Sequence, residues 1–257
     1  FTFTADPPDD KDIVKYYISE DYISHSDKKQ NLTDHFYHIA RNYMLRKKYN
    51  LVRKMTGRET GTLMDTGSGT GYFAGYMNKN GWNVTGVELS EQARQYSISR
   101  FGITADSPSE VASIKDGAAD CVTLWHVLEH LYDPVMWLKE IKRILKDDGK
   151  CIIALPNIKS ADAEWFRNEW AALDVPRHLW HFSSETLPSF INRHGFICEK
   201  VIPMPLDIYY ISTLSYKNRR CKLPLMRGMI TGLFLTVRSL FKKESASSLI
   251  YVISKQR

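Results

Sequence analysis

Three glycines at alternate positions and two carboxylates are the residues of this chain that look best suited to hold a ligand. Gly67, Gly69 and Gly71 follow a short apolar run, Asp65 lies just before them, and Glu88 ends the next apolar run. Glycines between a strand and a helix let the chain turn sharply and leave backbone N–H groups open to a ligand. The pattern predicts a ligand that lies against bare backbone between two carboxylates.

Two classes of ligand use such a turn, and the sequence discriminates between them. A dinucleotide-binding turn reads GxGxxG, but Tyr72 stands where the third glycine would be. Asp65 would repel a pyrophosphate and attract an amine, and Glu88 could accept hydrogen bonds from two ribose hydroxyls. No Gly-Lys-Ser/Thr sequence follows, which argues against a phosphate loop. These features favour S-adenosylmethionine, which carries both an amine and a ribose.

The stretches LMDTGSGTGYF and VTGVELS resemble the first and second motifs of the class I S-adenosylmethionine-dependent methyltransferases. The resemblance covers about residues 58–200 and extends to the bacterial small-molecule type that includes ubiquinone-type O-methyltransferases. It implies that S-adenosylmethionine is the cofactor and S-adenosylhomocysteine the product. The cofactor contacts that the resemblance implies are Asp65, Gly67, Gly69, Gly71, Tyr72 and Phe73 for the first motif, Glu88 and Leu89 for the second, Asp106 and Ser107 at the adenine, and Trp125 and His126 near the adenine or the methyl group.

Strands alternate with helices along most of the chain, and this alternation predicts the fold class. The predicted strands are 61–67, 83–89, 103–106, 119–127, 150–157, 196–203 and 247–255, and the predicted helices are 33–55, 72–81, 90–102, 133–149 and 183–195. Such alternation implies a mainly parallel sheet with helices on both faces. The methyltransferase resemblance implies a Rossmann-like α/β fold with seven strands, of which the last is antiparallel.

The domain organisation follows from where the alternation begins and where it is interrupted. We expect residues 1–57 to form a linker and a helical lid, and residues 58–257 to form the methyltransferase domain with insertions at about 157–182 and 203–245. Long loops in such folds tend to build the substrate site. In the lid, Tyr22 and His25 are candidate contacts with cofactor or acceptor, the alternative being that this segment only packs the lid down.

Methyl transfer to a hydroxyl or an amine requires a proton acceptor, and histidine is the natural candidate. His126 and His130 lie in WHVLEHLYDP, and His178 lies in DVPRHLWHFS. These three are the candidate catalytic residues, although packing in the cofactor pocket is an alternative role for the first two. A metal site is also conceivable around Glu129. We predict no metal there, because a four-residue interval brings ligands together only on a helix and this segment begins as a strand.

Two apolar stretches keep more than one interpretation. The aromatic residues at 165, 166, 170, 180 and 182 could line an acceptor pocket, but core packing is favoured. Arg177 could pair with an acidic acceptor or with Asp174. The segment 216–245 alternates basic and apolar residues. It could form a helical hairpin over the acceptor pocket, a dimer contact or a membrane-surface helix, and we favour the first.

Composition limits the partners. The chain of 257 residues carries a formal charge of +6 with a pI near 9.0, but its basic clusters are scattered and accompany no nucleic-acid motif, so no nucleic-acid partner is expected. No apolar run reaches the length of a transmembrane helix, although peripheral membrane contact is possible. Four cysteines without CxxC spacing favour a reducing compartment, the cytoplasm. A monomer or a homodimer is expected.

The chain starts at Phe1 rather than Met, so we expect a preceding segment in the native protein. Its N-terminal part also resembles a bacterial subgroup in which a zinc ribbon precedes the lid, although the cysteines of that ribbon are absent here.

The sequence as a whole predicts methyl transfer from S-adenosylmethionine to an oxygen, or less readily a nitrogen, of a small metabolite or saccharide-type acceptor. The alternatives are a nicotinamide-dependent dehydrogenase and a non-catalytic protein that binds S-adenosylmethionine.

Overall fold

The fold is described from a computed structural model, in which residues 2–16, 32–204, 206–241 and 243–256 are described. Tyr22 and His25, the predicted lid contacts, lie outside these residues. The strands are β1 Thr2–Phe3, β2 Thr62–Thr66, β3 Asn83–Val87, β4 Thr104–Asp106, β5 Ala119–Trp125, β6 Leu145–Pro156, β7 Trp180–His181, β8 Phe196–Pro203 and β9 Ser248–Lys255. The α-helices are α1 Asp10–Ile13, α2 Leu32–Thr56, α3 Tyr72–Lys79, α4 Glu91–Phe101, α5 Pro134–Ile144, α6 Ala161–Phe166, α7 Thr186–Asn192, α8 Asp207–Asn218 and α9 Pro224–Phe241.

Seven of the strands form one sheet in the order β4-β3-β2-β5-β6-β9-β8. β2 pairs in parallel with β3 and with β5, β3 pairs in parallel with β4, and β8 pairs antiparallel with β9. Almost every residue of β5 and β9 is buried, as expected of strands covered on both faces. The predicted seven-stranded, mainly parallel α/β fold with an antiparallel last strand is confirmed.

Local signals fix several helix ends where the sequence predicts them. The Ser90 side chain accepts a hydrogen bond from the backbone of Ala93 and caps α4, and Gly102 ends that helix in the left-handed conformation. The predicted helix over 133–149 is too long, because α5 ends at Ile144 and β6 begins at the next residue. Lys146, inside that strand, binds Asp120 of β5 at 2.8 Å. Tertiary pairing therefore outweighs the helix propensity of this segment.

The chain divides into two compact units. The first, which we call the glycine-loop unit, comprises residues 14–125 and 135–152 and holds β2 to β5 with α2 to α5. The second, which we call the histidine unit, comprises residues 1–13, 126–134 and 153–257 and holds β1 and β7 to β9 with α1 and α6 to α9. Of the residues of β6, 145–152 belong to the first unit and 153–156 to the second.

Within the histidine unit, the N-terminal residues that the sequence suggests are a linker include a strand. β1 pairs antiparallel with β7, with Thr2 opposite His181 and Phe3 opposite Trp180. The next residue, Thr4, donates its hydroxyl to the backbone carbonyl of His178 at 2.6 Å. These bonds attach the N-terminal segment to the loop that carries two of the histidines. Among the described helices, none is both long enough and apolar enough to cross a membrane.

Candidate active site

The glycine-rich turn lies between β2 and α3 in the glycine-loop unit. Gly67, Gly69 and Gly71 have φ values of 65°, 54° and 79°, which glycine adopts without steric cost. The backbone N–H of Gly67 donates to the carbonyl of Val87 at 2.7 Å, so the turn is bound to the end of β3. A Cβ atom on Gly71 would lie 2.5 Å from the Cβ of Ser97 in α4. Conformation and packing therefore both require glycine at position 71.

Glu88 connects this turn to the start of α4. One carboxylate oxygen accepts the N–H of Gly69 at 2.9 Å, and the other accepts the N–H of Ser90 at 2.9 Å. Arg94 donates to the backbone carbonyls of Glu88 and Leu89 and holds the segment from the other side. The Glu88 side chain is buried, but each carboxylate oxygen can accept a second hydrogen bond. Glu88 can thus orient the glycine turn and still accept hydroxyl groups from a ligand.

Asp65 lies in β2, directly before the turn, and is buried. It is paired in register with Thr123 of β5, whose hydroxyl donates to its carboxylate at 2.6 Å. Burial raises the pKa of Asp65 to about 7, although the bond from Thr123 and the positive charge of Lys48 act in the opposite direction. A carboxyl group with this pKa changes charge near neutral pH, so a cation bound beside it would favour its ionised form.

A cavity of about 320 Å³ lies beside the glycine turn, within the size range of small-molecule sites. Its walls are α2, the turn itself and the start of α3, through Arg41, Met44, Leu45, Lys48, Ser68, Gly69, Thr70, Tyr72 and Phe73. The two basic residues in this lining, Arg41 and Lys48, are spaced along α2 so that they lie on the same face of the helix. The Arg41 guanidinium lies 3.8 Å from the ring centroid of Tyr72, and the Lys48 ammonium lies 4.3 Å from that of Trp125.

Buried polar atoms near this cavity include the hydroxyl oxygen of Ser68, which lines the cavity, and the indole nitrogen of Trp125, whose ring packs on Phe73 at 5.3 Å between centroids. Neither of these two atoms has a hydrogen-bond partner among the described residues. Buried polar atoms are nearly always satisfied in folded proteins. Their position beside a cavity with two cations and an adjacent carboxylate fits a polar, charged ligand.

The residues predicted to contact adenine follow β4. The backbone carbonyl of Asp106 accepts the N–H of Glu88 at 3.0 Å, which ties the end of β4 to the end of β3. Burial raises the pKa of Asp106. Ser107 caps a 3-10 helix in a capping box with Glu110, and its hydroxyl lies 2.7 Å from that of Ser109. Leu89, from the second motif, is exposed. The structure thus shows a capping role for Ser107 that the sequence analysis did not consider.

In the histidine unit, His126 lies between two carboxylates. Its Nδ1 is 3.3 Å from Glu129 and its Nε2 is 3.2 Å from Asp207, and its backbone has a left-handed φ of 58°. Burial alone would lower the pKa of His126, but the two carboxylates raise it to about 10. The ring is therefore an imidazolium at neutral pH with both nitrogens directed at acids. In this arrangement His126 cannot accept a proton.

Glu129, His130 and His178 form a second cluster in the same unit. The His130 and His178 rings meet edge to face, with centroids 4.5 Å apart, and ligand atoms of the three side chains all lie within 4.8 Å of one another. The Nδ1 of His130 is 3.1 Å from the carbonyl of Arg177, and the Nδ1 of His178 is 2.9 Å from that of Ala172. A carbonyl oxygen only accepts hydrogen bonds, so Nδ1 of each ring carries the proton that it donates.

Electrostatics differ between the members of this cluster. Glu129 is almost fully buried, and although burial alone would raise its pKa, the hydrogen bond and the positive charge of His126 lower it, so it is ionised. Burial lowers the pKa of His178 in spite of the charge of Glu129, so this ring is neutral. The predicted absence of a metal rests on the spacing within one segment, whereas the fold brings His178 to Glu129 and His130 from a separate loop. A cation site is therefore sterically feasible.

Other side chains singled out in the sequence have structural partners. Arg177 binds Asp174 at 2.7 Å, one of the two pairings that the sequence allowed. Phe166, Trp170 and Phe182 are buried, which agrees with core packing, whereas Trp165 is about half exposed. Asp207 is not predicted from the sequence, because nothing in the pattern connects it with His126. Arg41 and Lys48 are not predicted either, although their spacing with Met44 and Leu45 on one helix face is a usable signal.

Comparison with known proteins gives the family. A family model described as a methyltransferase domain matches residues 36–201, which is more than half of the chain. The chain therefore belongs to the methyltransferase-domain family. Its sheet order is that of a class I S-adenosylmethionine-dependent methyltransferase.

Individual relatives are distant. A ubiquinone biosynthesis O-methyltransferase of Pseudomonas paraeruginosa is 27% identical over 116 residues, which are 42% of this chain and 50% of that protein. The chain thus spans about half the length of this curated relative. The structure of the 1,6-didemethyltoxoflavin-N1-methyltransferase of Burkholderia thailandensis, with bound S-adenosylhomocysteine, is 15% identical with a TM-score of 0.57 and covers 100% of this chain and 95% of that one. The cyclase SpnF is 17% identical with a TM-score of 0.55, covering 82% and 81%. The structural likenesses show the fold alone.

Proposed function

We propose that this protein transfers a methyl group from S-adenosylmethionine to an oxygen, or secondarily a nitrogen, of a small acceptor. The observation that carries the proposal is the buried carboxylate of Glu88, which holds the glycine turn and keeps acceptor capacity for ribose hydroxyls. Membership of the methyltransferase-domain family supports it, as does the S-adenosylhomocysteine bound to the toxoflavin-type neighbour. When bound, S-adenosylmethionine supplies an electrophilic methyl group on a sulfonium centre.

The residues of the glycine-loop unit divide the recognition of this cofactor. Asp65 attracts the ammonium of its methionine part, and Arg41 and Lys48 provide positive charge for the carboxylate. Glu88 accepts the ribose hydroxyls, while Asp106, at the end of the neighbouring strand, takes the adenine edge. Because α2 forms one wall of the cavity, we further propose that it belongs to a lid within residues 1–57, next to a methyltransferase domain at 58–257.

For the proton acceptor we propose His130. His126 is excluded by its two carboxylate partners, and His178 is a buried ring with a lowered pKa. His130 is only partly buried, so an acceptor can reach it, and the carbonyl of Arg177 holds its Nδ1 proton. Glu129 and His178 act as positioning residues, because the His178 ring packs edge to face on that of His130 and ligand atoms of the three side chains lie within 4.8 Å of one another.

The class of acceptor remains that of the sequence prediction, a small metabolite or a saccharide-type molecule. The name of the Pseudomonas relative refers to an O-methyltransferase, which favours oxygen, and the name of the Burkholderia neighbour refers to an N1-methyltransferase. A neutral imidazole suits both acceptors, because a hydroxyl and a protonated amine each have to release a proton before or during transfer.

Calorimetry with two ligands tests the cofactor assignment. We expect S-adenosylhomocysteine to bind and NADH not to bind, because Asp65 repels a pyrophosphate. Binding of NADH in place of S-adenosylhomocysteine would support the dehydrogenase instead.

Mass spectrometry of small-molecule extracts incubated with protein and S-adenosylmethionine should then reveal an acceptor that gains 14 mass units, about the mass of one CH₂. Tight binding without any turnover would support the non-catalytic alternative.

The pKa of Asp65 predicts how binding depends on pH. Its carboxyl is neutral below about pH 7 and ionised above it, and only the ionised form attracts the ligand's ammonium. Affinity for S-adenosylhomocysteine should therefore rise roughly tenfold between pH 6 and pH 8 in calorimetric titrations. The Asp65→Asn variant should bind more weakly at pH 8 and lose this rise. An equally steep rise in the variant would show that another group controls it.

A further inference from the structure

Helix α9 in the histidine unit has most of its large apolar side chains on the outside, among those whose burial the structure describes. Leu225, Met226, Met229, Ile230, Leu233, Phe234 and Val237 are each 49% to 63% exposed and recur every three or four residues, so they form one continuous stripe. We call these seven residues the α9 stripe. The opposite side of the helix is formed by Gly228, Thr231, Gly232 and Leu235, which are buried. A helix that only covers a core would place its large residues inward.

Packing against α8 holds α9 in this orientation. A Cβ atom on Gly228 would lie 2.3 Å from the hydroxyl of Thr213, and one on Gly232 would lie 2.7 Å from the ring of Tyr209. The hydroxyl groups of Tyr216 and Thr231 lie 3.0 Å apart. Only glycine allows so close an approach, so the helix cannot rotate to bring a bulky side chain inward. The exposure of the stripe follows from how the two helices pack.

The charge around the stripe has one sign. Between Asp207 and Glu244 the sequence contains no acidic residue and eight basic ones, namely Lys217, Arg219, Arg220, Lys222, Arg227, Arg238, Lys242 and Lys243. Arg219 pairs with Glu169 and Arg238 with Glu164. Among the described residues, no ion pair is found for Arg220, Lys222 or Arg227, which are exposed at the N-terminal end of the helix. The apolar stripe is thus accompanied by positive charge that the fold does not neutralise.

We propose that the α9 stripe inserts into the headgroup region of an anionic lipid bilayer, with the basic residues before it on the lipid phosphates. Large contiguous apolar patches mark interaction surfaces, and a helix that combines Leu and Phe with Lys and Arg is typical of membrane-surface binding. A second copy of this chain is a poorer fit. A two-fold contact through the stripe would bring the same basic segment of both copies together, and nothing within the segment would compensate the repulsion. The proposal is independent of the methyl transfer proposed above.

Co-sedimentation with vesicles tests this surface. Vesicles of phosphatidylcholine with 30% phosphatidylglycerol, about the anionic fraction at which basic segments bind strongly, should retain the protein, and pure phosphatidylcholine should retain much less. Raising the salt concentration from about 0.05 M to 0.5 M should weaken binding at least tenfold, because it screens the basic residues. Trp165, whose ring lies 6.3 Å from that of Phe234, should be quenched by brominated lipid.

Variants test the apolar α9 stripe and the basic residues before it separately. Phe234→Glu and the double variant Arg220→Glu, Lys222→Glu should each weaken binding to anionic vesicles at least tenfold. The matched control Ile98→Glu, an exposed apolar residue on α4, should bind like the wild type. Leu233→Ser provides a milder change if Phe234→Glu does not fold, which thermal melting would detect. Unchanged binding in the stripe variants would overturn the proposal. A dimer in light scattering that Phe234→Glu dissociates, without vesicle binding by the wild type, would overturn it in favour of a second copy.

Discussion

Replacing Glu88 with alanine is expected to weaken the binding of S-adenosylhomocysteine by about 1–3 kcal/mol, or roughly 5- to 150-fold, in calorimetric titrations. The variant removes the carboxylate that would accept the ribose hydroxyls. It also leaves the N–H groups of Gly69 and Ser90 without their partner, because each donates to one oxygen of Glu88 at 2.9 Å. Loss of the acceptor and disorder in the turn both reduce affinity, so this is the largest effect that we expect from a single change in the cofactor site.

The neighbouring Glu91 provides the matched control. It lies three residues further along, in the first turn of α4, and is exposed, so Glu91→Ala should leave the affinity unchanged. Glu88→Gln should fall between the two, because an amide oxygen can accept one of the backbone bonds but the NH₂ group cannot accept the other. Wild-type affinity in Glu88→Ala would contradict the ribose assignment and, with it, the main support for the proposed function.

Replacing His130 with alanine is expected to lower kcat by about 10²–10⁴, the range for loss of a general base, with little change in the affinity for S-adenosylmethionine. The imidazole is the proposed proton acceptor, whereas the proposed cofactor contacts come from the glycine-loop unit. Added imidazole should restore part of the activity of His130→Ala, because it can replace the missing base but cannot repair a misfolded protein. Glu129→Gln should lower kcat as well, without rescue by imidazole.

Two controls accompany the His130 variant. His194→Gln changes a histidine that packs on Phe190 outside the cluster, and it should retain full turnover. Because Glu129, His130 and His178 could also hold a cation, the wild type should be dialysed against a chelator and assayed with and without added Mg²⁺ or Zn²⁺. A base requires no metal, so activity should survive. Full activity in His130→Ala would refute the assignment, and activity restored only by a metal ion would replace it with a metal site.

The sequence predicted the site residues of the glycine-loop unit better than those of the histidine unit. The glycine turn, Asp65 and Glu88 are close in the chain, and the strand-turn-helix geometry follows from local spacing, so the pattern located them without a structure. The histidine cluster depends on loops that are distant in sequence. His178 comes to Glu129 and His130 through a loop bonded to β1 and to residues 129–131, and no local rule predicts that path.

The sequence could not predict the chemical role of each of these side chains, for the same reason. His126 and His130 are equivalent in the pattern WHVLEH, but Asp207 reaches His126 from 81 residues further along and, together with Glu129, makes it an imidazolium. Ser107 was expected at adenine, and the structure shows it capping a 3-10 helix with Glu110. Charge state depends on which groups surround a side chain after folding, and a sequence pattern contains little information about that.

By itself, the sequence determined the α/β class, the order of most strands and helices, the methyltransferase resemblance and the residues of the glycine turn. These follow from hydrophobic periodicity, helix caps and backbone freedom at glycine, all of which act over a few neighbouring residues. Only the tertiary structure decided that α5 ends at Ile144, which histidine is tied to two acids, and that α9 exposes its large apolar side. Each of these depends on contacts between residues far apart in the chain, where packing and burial outweigh local preference.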